Sequence, residues 1–466
     1  MSQHRSHSRV AHAFRSLSVR NFRLFAGGQV VSAAGTWMMV VAQDWLVLGL
    51  TGGSGTALGV VTALQFTPLL LTLYGGRLAD RHDKRMLLTA ANLASGALAL
   101  VLAVLALAGS VQLWHIWLCA FGLGVVNAVE IPTRMAFVSE LVGPDLLPNA
   151  SALSGAYFNI ARVAGPALAG LLITLLGTGW VMVVNAASYL ATVVALRMMR
   201  PGELLRGARA EGPVKVSDGL RYVRDRPDLS MPVLLVGAIG LFSLNFQLLL
   251  PLLAKTVFDA GVNSFGLMTT AYAGGALLSA LVTTSRRGRP AARTVILAAL
   301  GLGVAEIAAG LAPNFGSALV LLFLTGFAAL YFAQAANHRI QLGSDPAYRG
   351  RVMALYTLIL QGSTPLGSLL VGALAEHAGA RSGLFLGGFA SMAAALVAAA
   401  AAARSVRGRT ERLAGAAAGA ADAAAGAAGA VGPTGAVGVT GVTGAAGGTG
   451  PTGPGGGWAH GSARRP

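Results

Sequence analysis

The sequence predicts an all-α polytopic membrane protein, with twelve transmembrane helices arranged as two six-helix bundles related by pseudo-symmetry. Three observations support this prediction: the apolar composition, a series of apolar stretches that can each cross a bilayer, and a one-sided distribution of basic residues. Hydrophobic residues make up 55% and charged residues 11% of the 466 residues, and the mean hydropathy is +0.66. A water-soluble core cannot bury that much apolar surface, whereas a bilayer can accommodate it.

Each apolar stretch is close to the roughly 20 residues that an α-helix needs to cross a hydrocarbon core about 30 Å thick. The predicted spans 1 to 12 cover residues 24–48, 57–79, 86–108, 112–137, 150–175, 178–198, 231–254, 264–284, 292–312, 315–338, 350–375 and 381–403. The longest polar stretch, residues 199–230, is predicted to be a cytoplasmic loop between an N-terminal bundle, residues 24–198, and a C-terminal bundle, residues 231–403.

The two bundles resemble each other at an offset of about 200 residues, as expected for an internal repeat. Residues 132–134, Pro-Thr-Arg at the end of span 4, have a counterpart in residues 337–339, Asn-His-Arg, after span 10. The segment 165–170 has a counterpart in residues 364–367. Each match is short, but both fall at equivalent places in the two halves.

The net charge of +17 is concentrated in the basic N-terminal arm, residues 1–23, and in alternate connections between the spans. Among the Lys and Arg residues, Lys255 and Arg381 lie in the intervening loops, and Arg162 lies deep inside a span. This alternation follows the positive-inside rule and predicts that both termini are cytoplasmic. We therefore expect the cell inner (cytoplasmic) membrane as the location, the lipid bilayer as the partner, and no nucleic acid.

Residues 404–466 differ from the rest of the chain because they are rich in Gly and Ala. From Gly426 to Gly453, Gly occupies every third position, which is the period of collagen. Few prolines occupy the positions between, so we predict a disordered cytoplasmic tail, with self-association as the alternative.

The most specific motif is the segment 75–85, GGRLADRHDKR, between spans 2 and 3. Glycine lets helices approach closely, an acid can meet a helix terminus, and arginines can hold headgroups or acidic partners. The segment resembles the signature loop of the major facilitator superfamily, and the matching residues are Gly76, Asp80, Arg81 and Arg85. Asp83 stands where that family often has a second glycine. The resemblance implies a cytoplasmic gate in which Asp80 and Arg81 favour the outward-open state; the alternative is an ordinary basic loop.

A second resemblance lies in span 5, in a segment that exporters of this superfamily carry and many importers lack. The residues concerned are Arg162, Gly165, Pro166 and Gly170. Proline bends the helix, and small residues permit close packing against span 8. Together with Gln29 and the segments 45–48 and 136–141, this makes the chain similar to the enterobactin-exporter and macrolide-efflux branch, of the drug:proton antiporter type. The resemblance covers all twelve spans and implies the major facilitator fold.

Four ionisable residues lie within predicted spans, where a charge costs about 2.5–3.5 kcal/mol near the helix centre. Asp44 and Glu130 are the candidate proton-coupling residues. For Asp44 the alternative is a side chain that reaches the outer interface. Glu130 can instead pair with Arg134 or with Arg162, or receive Arg81 from the gate loop. For Glu306 we expect an interfacial or water-exposed position.

Uncharged polar residues are also concentrated on the spans that line the cavity in members of the family. The candidate cavity residues are Gln65, Asn127, Asn159, Asn245, Gln247, Tyr272, Gln334 and Gln361. As a set they predict an amphipathic cavity. Individually, each can instead form a hydrogen bond between packed helices.

The energy source follows from the motifs that the sequence lacks. A nucleotide-binding Walker A loop has Gly before Lys, whereas the three lysines follow Asp, Val and Ala. We therefore predict a secondary active transporter that exports amphipathic small molecules, such as drugs or siderophore-like compounds, in exchange for protons by alternating access. We expect no cofactor, no metal, no enzymatic activity and a monomer. The alternative is a metabolite or sugar importer, and a remote alternative is an integral-membrane enzyme or receptor.

Overall fold

The computed structural model describes residues 14–205, 216–284 and 288–429. These residues form an all-helical protein, in agreement with the fold class predicted from the sequence. Its helices are α1 (Arg20–Thr51), α2 (Gly55–Phe66), α3 (Thr72–Arg81), α4 (Lys84–Leu107), α5 (Leu113–Leu176), α6 (Thr178–Met198), α7 (Val216–Arg224), α8 (Pro227–Phe242), α9 (Phe246–Leu252), α10 (Val262–Thr284), α11 (Ala292–Gly310), α12 (Phe315–Gly343), α13 (Pro346–Ala378) and α14 (Ala380–Gly429).

Within the described ranges, ten helical segments are long and apolar enough to cross a membrane, or eleven if α2 and α3 count as one span. A 3₁₀ turn over Thr67–Leu71 separates α2 from α3, and the helix axis bends there by 53°. In the C-terminal part of the chain, α8, α9 and the π-helical turn Leu253–Val257 together form one span.

Helix α5 contains both predicted spans 4 and 5. Its 64 residues would extend about 96 Å at 1.5 Å per residue, roughly three times the thickness of a hydrocarbon core. Gly143 interrupts the helical geometry with φ 72° and ψ 175°, a left-handed φ that glycine adopts without steric cost. The interruption divides α5 into two segments that are each long enough to cross the bilayer. Whether the chain crosses twelve times stays a prediction.

The buried residues divide the helices into two halves, the N half (α1 to α6) and the C half (α8 to α14 up to residue 403). We call the end with the α3–α4 turn the arginine-rich end, and the end with the α1–α2 turn the opposite end. At the opposite end, one apolar cluster contains residues of both halves, such as Leu48, Leu58 and Leu249. At the arginine-rich end each half has its own cluster, around Phe137 in the N half and Phe332 in the C half. The buried core is therefore continuous at one end and split at the other.

Two pairs of helices carry most of the contact between the halves. Helix α2 packs against α13, and a Cβ added to Gly59 would lie 2.5 Å from the carbonyl oxygen of Ser368. Helix α5 packs against α10, and a Cβ added to Gly266 would lie 2.4 Å from the carbonyl oxygen of Pro166. These positions require glycine because any side chain would overlap the neighbouring backbone.

The second compact unit, residues 404–466, is described as far as residue 429. Over residues 404–429 the chain continues α14 as helix, where the sequence predicts a disordered tail. Most of the segment with Gly at every third position lies outside the described residues, so its self-association stays a prediction.

Candidate functional site

A cavity of about 160 Å³ lies between the two halves, near the middle of the bundle. The N half contributes residues of α1 and α5 to its wall, and the C half contributes residues of α9, α10 and the segment between α8 and α9. The principal wall residues are Trp37, Asp44, Arg162, Pro166, Leu244, Phe246, Gln247, Phe265, Thr269 and Tyr272. Because both halves line it, a change in their relative position would change the shape of this cavity.

Two residues of opposite formal charge, Asp44 and Arg162, line the same cavity. Asp44 is only 4% exposed, so its side chain does not reach the outer surface as the alternative interpretation requires. Its Oδ2 atom and the Nε atom of Arg162 are buried without a hydrogen-bond partner among the described protein atoms. Buried polar groups are normally satisfied, so these two atoms are available to water or to a bound molecule.

Aromatic rings form much of the remaining wall. Phe246 and Tyr272 contact each other with ring centroids 4.4 Å apart, and Trp37 meets Phe158 edge-on at 6.0 Å. Phe265 stacks on Trp45 at 6.4 Å. The sequence interpretation included Tyr272 but missed the phenylalanine and tryptophan rings, because it selected polar residues only. Their positions on spans 1, 5, 7 and 8 were the signal that could have identified them. The cavity is therefore amphipathic, with aromatic walls and two charged groups.

One wall of the cavity begins at a break between α8 and α9, over residues 243–245. Glu306 of α11 lies behind this break and is 1% exposed. The hydroxyl of Ser243 donates a hydrogen bond of 2.6 Å to its Oε1 atom. The expectation of an interfacial or water-exposed Glu306 was therefore wrong. The carboxyl group is enclosed because Ser243 satisfies one of its oxygens and Gly387 leaves room for the other.

The eight candidate cavity residues divide into three groups. Gln247 and Tyr272 line the cavity. Asn159 and Asn245 each donate to a backbone carbonyl oxygen four residues earlier, that of Gly155 and of Leu241. Gln334 accepts from Thr283 of the neighbouring α10, which is a hydrogen bond between packed helices. Gln65, Asn127 and Gln361 are half-buried and lie outside the wall of this cavity.

The gate motif spans α3, the following turn and the start of α4. Asp80 and Arg81 are exposed, and the split core at this end separates the N half from the C half. Asp83 accepts a hydrogen bond from Met86 N at 3.0 Å and so caps the N-terminus of α4. At the position where the family often has a second glycine, this chain therefore has a helix-capping residue. Arg85 donates to the carbonyl oxygens of Leu196 and Arg197 and so caps the end of α6.

In the gate motif, the glycine that allows close helix packing is Gly75 and not its neighbour Gly76, which matches the signature loop. A Cβ added to Gly75 would lie 2.0 Å from the carbonyl oxygen of Ala128 on α5, whereas one added to Gly76 would have no neighbour within 4 Å. Sequence comparison with the signature loop had pointed to Gly76, and geometry identifies Gly75 as the glycine that packs.

The export-type segment packs in two directions. A Cβ added to Gly170 would lie 3.0 Å from the Cα of Asn263 at the start of α10, which is the contact with span 8 that the sequence predicts. One added to Gly165 would lie 2.6 Å from the Cβ of Trp37 on α1. Glycine at 165 therefore brings α5 against the helix that carries Asp44, and places Arg162 and Asp44 on one cavity wall.

Glu130 lies apart from this cavity. Its Oε1 atom lies 3.6 Å from the Nε atom of Arg134 one turn later, and Arg134 also donates to the side chain of Gln29 at 3.3 Å. Of the alternatives considered from the sequence, the structure forms the pair with Arg134 within one helix, and Arg162 takes its place in the cavity wall instead.

Two charged side chains of the C half hold the α1–α2 turn of the N half at the opposite end. Lys255 donates to the carbonyl oxygen of Leu48 at 2.6 Å, close to the end of α1, and its ammonium lies 5.8 Å from the ring centroid of Trp45. Glu376 accepts hydrogen bonds from Ser54 Oγ at 2.9 Å and Thr56 N at 2.8 Å, at the start of α2. A cation near a helix C-terminus and an anion near an N-terminus both match the helix dipole. We call these two contacts the outer clamp.

Comparison with known proteins agrees with this arrangement. The sequence profile of the family described as transmembrane secretion effector matches residues 11–414. The multidrug efflux pump Tap of Mycobacterium tuberculosis is 28% identical over 381 residues, which cover 75% of this chain and 86% of that protein. Macrolide efflux protein A of Streptococcus pyogenes is 24% identical over 381 residues, which cover 79% and 93%.

A solved structure of the nucleoside transporter NupG superposes with a TM-score of 0.65, at 11% identity, over 82% of this chain and 98% of that one. At this identity the similarity concerns the fold, which is that of a major facilitator transporter. The family and its relatives are transporters and not enzymes. The chain thus belongs to the transmembrane secretion effector family of the major facilitator superfamily, and it is a multi-pass membrane transporter.

Proposed function

We propose that the protein exports amphipathic small molecules across the cell membrane in exchange for protons, by alternating access of the cavity that contains Asp44 and Arg162. The observation that carries this proposal is the cavity itself. It lies between the halves, it combines aromatic walls with two charged residues, and it is suited to a largely apolar molecule with a polar or charged group.

The distribution of contacts between the halves supports alternating access. The outer clamp and the shared apolar cluster join the halves at the opposite end, whereas each half has its own cluster at the arginine-rich end. If the positive-inside rule orients the chain, the arginine-rich end is cytoplasmic. The structure then corresponds to the state in which an exporter receives its substrate from the cell interior.

In this mechanism Asp44 carries the proton. Asp44 is the one acidic side chain among the described residues of the cavity wall, and a carboxylate there can take up a proton from one side and release it to the other. After the substrate has left on the outer side, Asp44 takes up a proton there, and when the cavity opens to the inside again the proton leaves. One charge that crosses 100 mV provides about 2.3 kcal/mol, which sustains a substrate gradient of roughly 40-fold.

The related proteins support the direction and the substrate class. Tap is named as a multidrug efflux pump and macrolide efflux protein A for the efflux of macrolides. An exporter of drug-like or siderophore-like molecules fits these names and the amphipathic wall. The alternative, import of a metabolite or sugar, uses the same fold and differs in direction.

Transport into inside-out membrane vesicles tests both the direction and the coupling. We expect vesicles that contain the wild-type protein to accumulate a fluorescent cationic dye or a labelled macrolide when their interior is acidified, and to lose it when a protonophore is added. Asp44→Asn should abolish this accumulation and leave substrate binding to the purified protein within about threefold, since only the protonatable group is lost.

Asp259→Asn is the matched control. Asp259 lies in the connection between α9 and α10, has a φ of 45° that asparagine also adopts, and should leave transport unchanged. Accumulation by right-side-out vesicles alone would favour the importer. Undiminished, protonophore-sensitive accumulation by the Asp44→Asn variant would reject the coupling role of Asp44.

A further inference from the structure

A second cavity, of about 230 Å³, lies inside the C half at the arginine-rich end. It is formed where α10 ends, α11 begins and α12 approaches its last turns. Its wall includes Thr283, Arg289, Pro290, Thr294, Ala335 and His338. We call it the basic cavity. It is separate from the cavity between the halves, and the transport mechanism makes no use of it.

The corresponding place in the N half shows what the basic cavity lacks. In the repeat, Arg134 corresponds to Arg339. The Nε atom of Arg134 faces Glu130, four residues earlier, at 3.6 Å. Four residues before Arg339 the sequence has Ala335, which lines the basic cavity. The Nε atom of Arg339 is buried and has no hydrogen-bond partner among the residues that the structure describes. Where the N half supplies a carboxylate, the C half has an alanine and an open space.

The cations around this space are held in position. Arg339 donates to the carbonyl oxygen of Pro290 at 2.9 Å. Arg289 donates from Nη2 to Asp228 Oδ2 at 2.8 Å and from Nε to the carbonyl oxygen of Arg339 at 3.3 Å. Both guanidinium groups are thus anchored beside the cavity, and His338 lies in its wall.

The charges at the site do not cancel. Among the described residues, two arginines lie beside one acid, Asp228, which already accepts from Arg289, and the ring nitrogens of His338 add a possible hydrogen-bond donor. An excess of positive charge with a buried, unsatisfied guanidinium N–H, the Nε of Arg339, favours the binding of an oxyanion, because charge-assisted hydrogen bonds to phosphate are short and strong.

The place of the cavity in the fold indicates the kind of anion. Helix α10 ends at Thr284 and α12 at Gly343, so the cavity lies at the level where the arginine-rich helix ends meet the bilayer surface. Basic pockets between transmembrane helices on the cytoplasmic side bind the phosphate groups of anionic lipids. A free phosphate ion in solution has the same chemistry.

We propose that the basic cavity is a binding site for a phosphate group, held by Arg289, Arg339 and His338, in the place that the Glu130 carboxylate occupies in the N half. The bound phosphate neutralises the cations that join α10, α11 and α12, and so stabilises the C half. The proposal does not depend on the substrate, the direction or the energy source of transport.

The test measures thermal unfolding of the full-length protein, purified in detergent, at constant ionic strength. We expect a saturable increase of a few degrees in the unfolding temperature on titration with inorganic phosphate or with phosphatidylglycerol, as mass action requires for a ligand of the folded state. Phosphatidylcholine, which has no net charge, and additional chloride should have no such effect.

Three variants distinguish the site from general binding of anions. Ala335→Glu provides the carboxylate that the N half already has, so it should raise the unfolding temperature without ligand and remove the response to phosphate. Arg289→Gln should weaken the response at least tenfold in concentration. Arg381→Gln is the matched control, because Arg381 binds the carbonyl oxygen of Ala312 at the opposite end; it should keep the full response.

The outcomes separate the two sources of phosphate. A response to both ligands supports a general phosphate site, and a response to phosphatidylglycerol alone supports a lipid headgroup. No response of the wild-type protein to either ligand would overturn the proposal. A response that persists in both Ala335→Glu and Arg289→Gln would overturn it as well, and if one of these variants does not fold, the other decides.

Discussion

The ammonium group of Lys255, at the end of the seventh span, donates a hydrogen bond of 2.6 Å to the carbonyl oxygen of Leu48 in the first. The two residues are 207 positions apart, and the contact joins the N half to the C half. Glu376 completes the outer clamp on the other side of the same turn. Any state that opens the opposite end must break both contacts.

We therefore expect Glu376→Gln and Lys255→Met to shift the protein toward a state open at the opposite end. Exposed charge-assisted contacts of this kind contribute about 0.5–1 kcal/mol each, which corresponds to a change of roughly two- to fivefold in the equilibrium. A cysteine at Thr269 in the cavity wall, in a Cys119→Ser background, should react faster with an impermeant thiol reagent added from that end.

Glu203→Gln serves as the control for charge, because Glu203 pairs with Arg200 at 3.1 Å in the turn that follows α6, away from the contacts between the halves. Its labelling rate should equal that of the background. Equal rates for all variants would show that the clamp does not limit opening.

A second prediction concerns the two adjacent glycines of the gate motif. Gly75→Ala should destabilise the protein by about 1–3 kcal/mol or more, because its Cβ would overlap the backbone of Ala128. Gly76→Ala should leave the unfolding temperature nearly unchanged. Size-exclusion profiles and thermal unfolding of the two purified variants provide the comparison, and the opposite order of stability would contradict the packing described for α3 and α5.

The third prediction concerns Glu306 behind the α8–α9 break. Glu306→Ala leaves the hydroxyl of Ser243 without its acceptor, which costs about 1–3 kcal/mol for a buried polar group, and it frees the segment that precedes Phe246 and Gln247. We expect a lower unfolding temperature and a raised KM for transport. Glu306→Gln retains an acceptor and should recover most of both properties. Equal damage by the two variants would mean that a carboxyl group itself is required.

The fourth prediction tests the orientation of the chain. In the Cys119→Ser background, Ser110→Cys in the α4–α5 connection should react with an impermeant maleimide added to intact cells. His82→Cys, in the α3–α4 turn, should react only after the membrane is permeabilised, because the positive-inside rule places this turn in the cytoplasm. Both positions are exposed. Labelling of His82→Cys in intact cells would reverse the orientation and exchange the two ends in the proposed mechanism.

The sequence allowed the helical segments and the repeat to be predicted because apolar stretches of bilayer length and one-sided basic residues are local signals. Asp44 and Arg162 were found for a similar reason, since an ionisable residue inside an apolar span stands out. Gln247 and Tyr272 were found as members of a larger set, and the sequence did not distinguish them from Asn245, which donates to the backbone carbonyl oxygen of Leu241.

The break over residues 243–245 could not be predicted, because Phe242, Ser243 and Leu244 give no helix-breaking signal and the nearest proline, Pro251, lies inside α9. Its partner Glu306 is 63 residues away in the sequence. The outer clamp could not be predicted for the same reason. Lys255 and Glu376 bind helix ends of the other half, and such distant partners can be identified only from the packing of the helices.

The glycine-lined contacts of α2 with α13 and of α5 with α10 have a mechanical consequence. At Gly59 and Gly266 the backbone of one half touches the backbone of the other, with no side chain interposed. A tilt of one half against the other, pivoting on these two places, requires no change of rotamer there and breaks no interlocked packing. The two contacts can therefore act as a hinge axis, about which each half rotates as a rigid body.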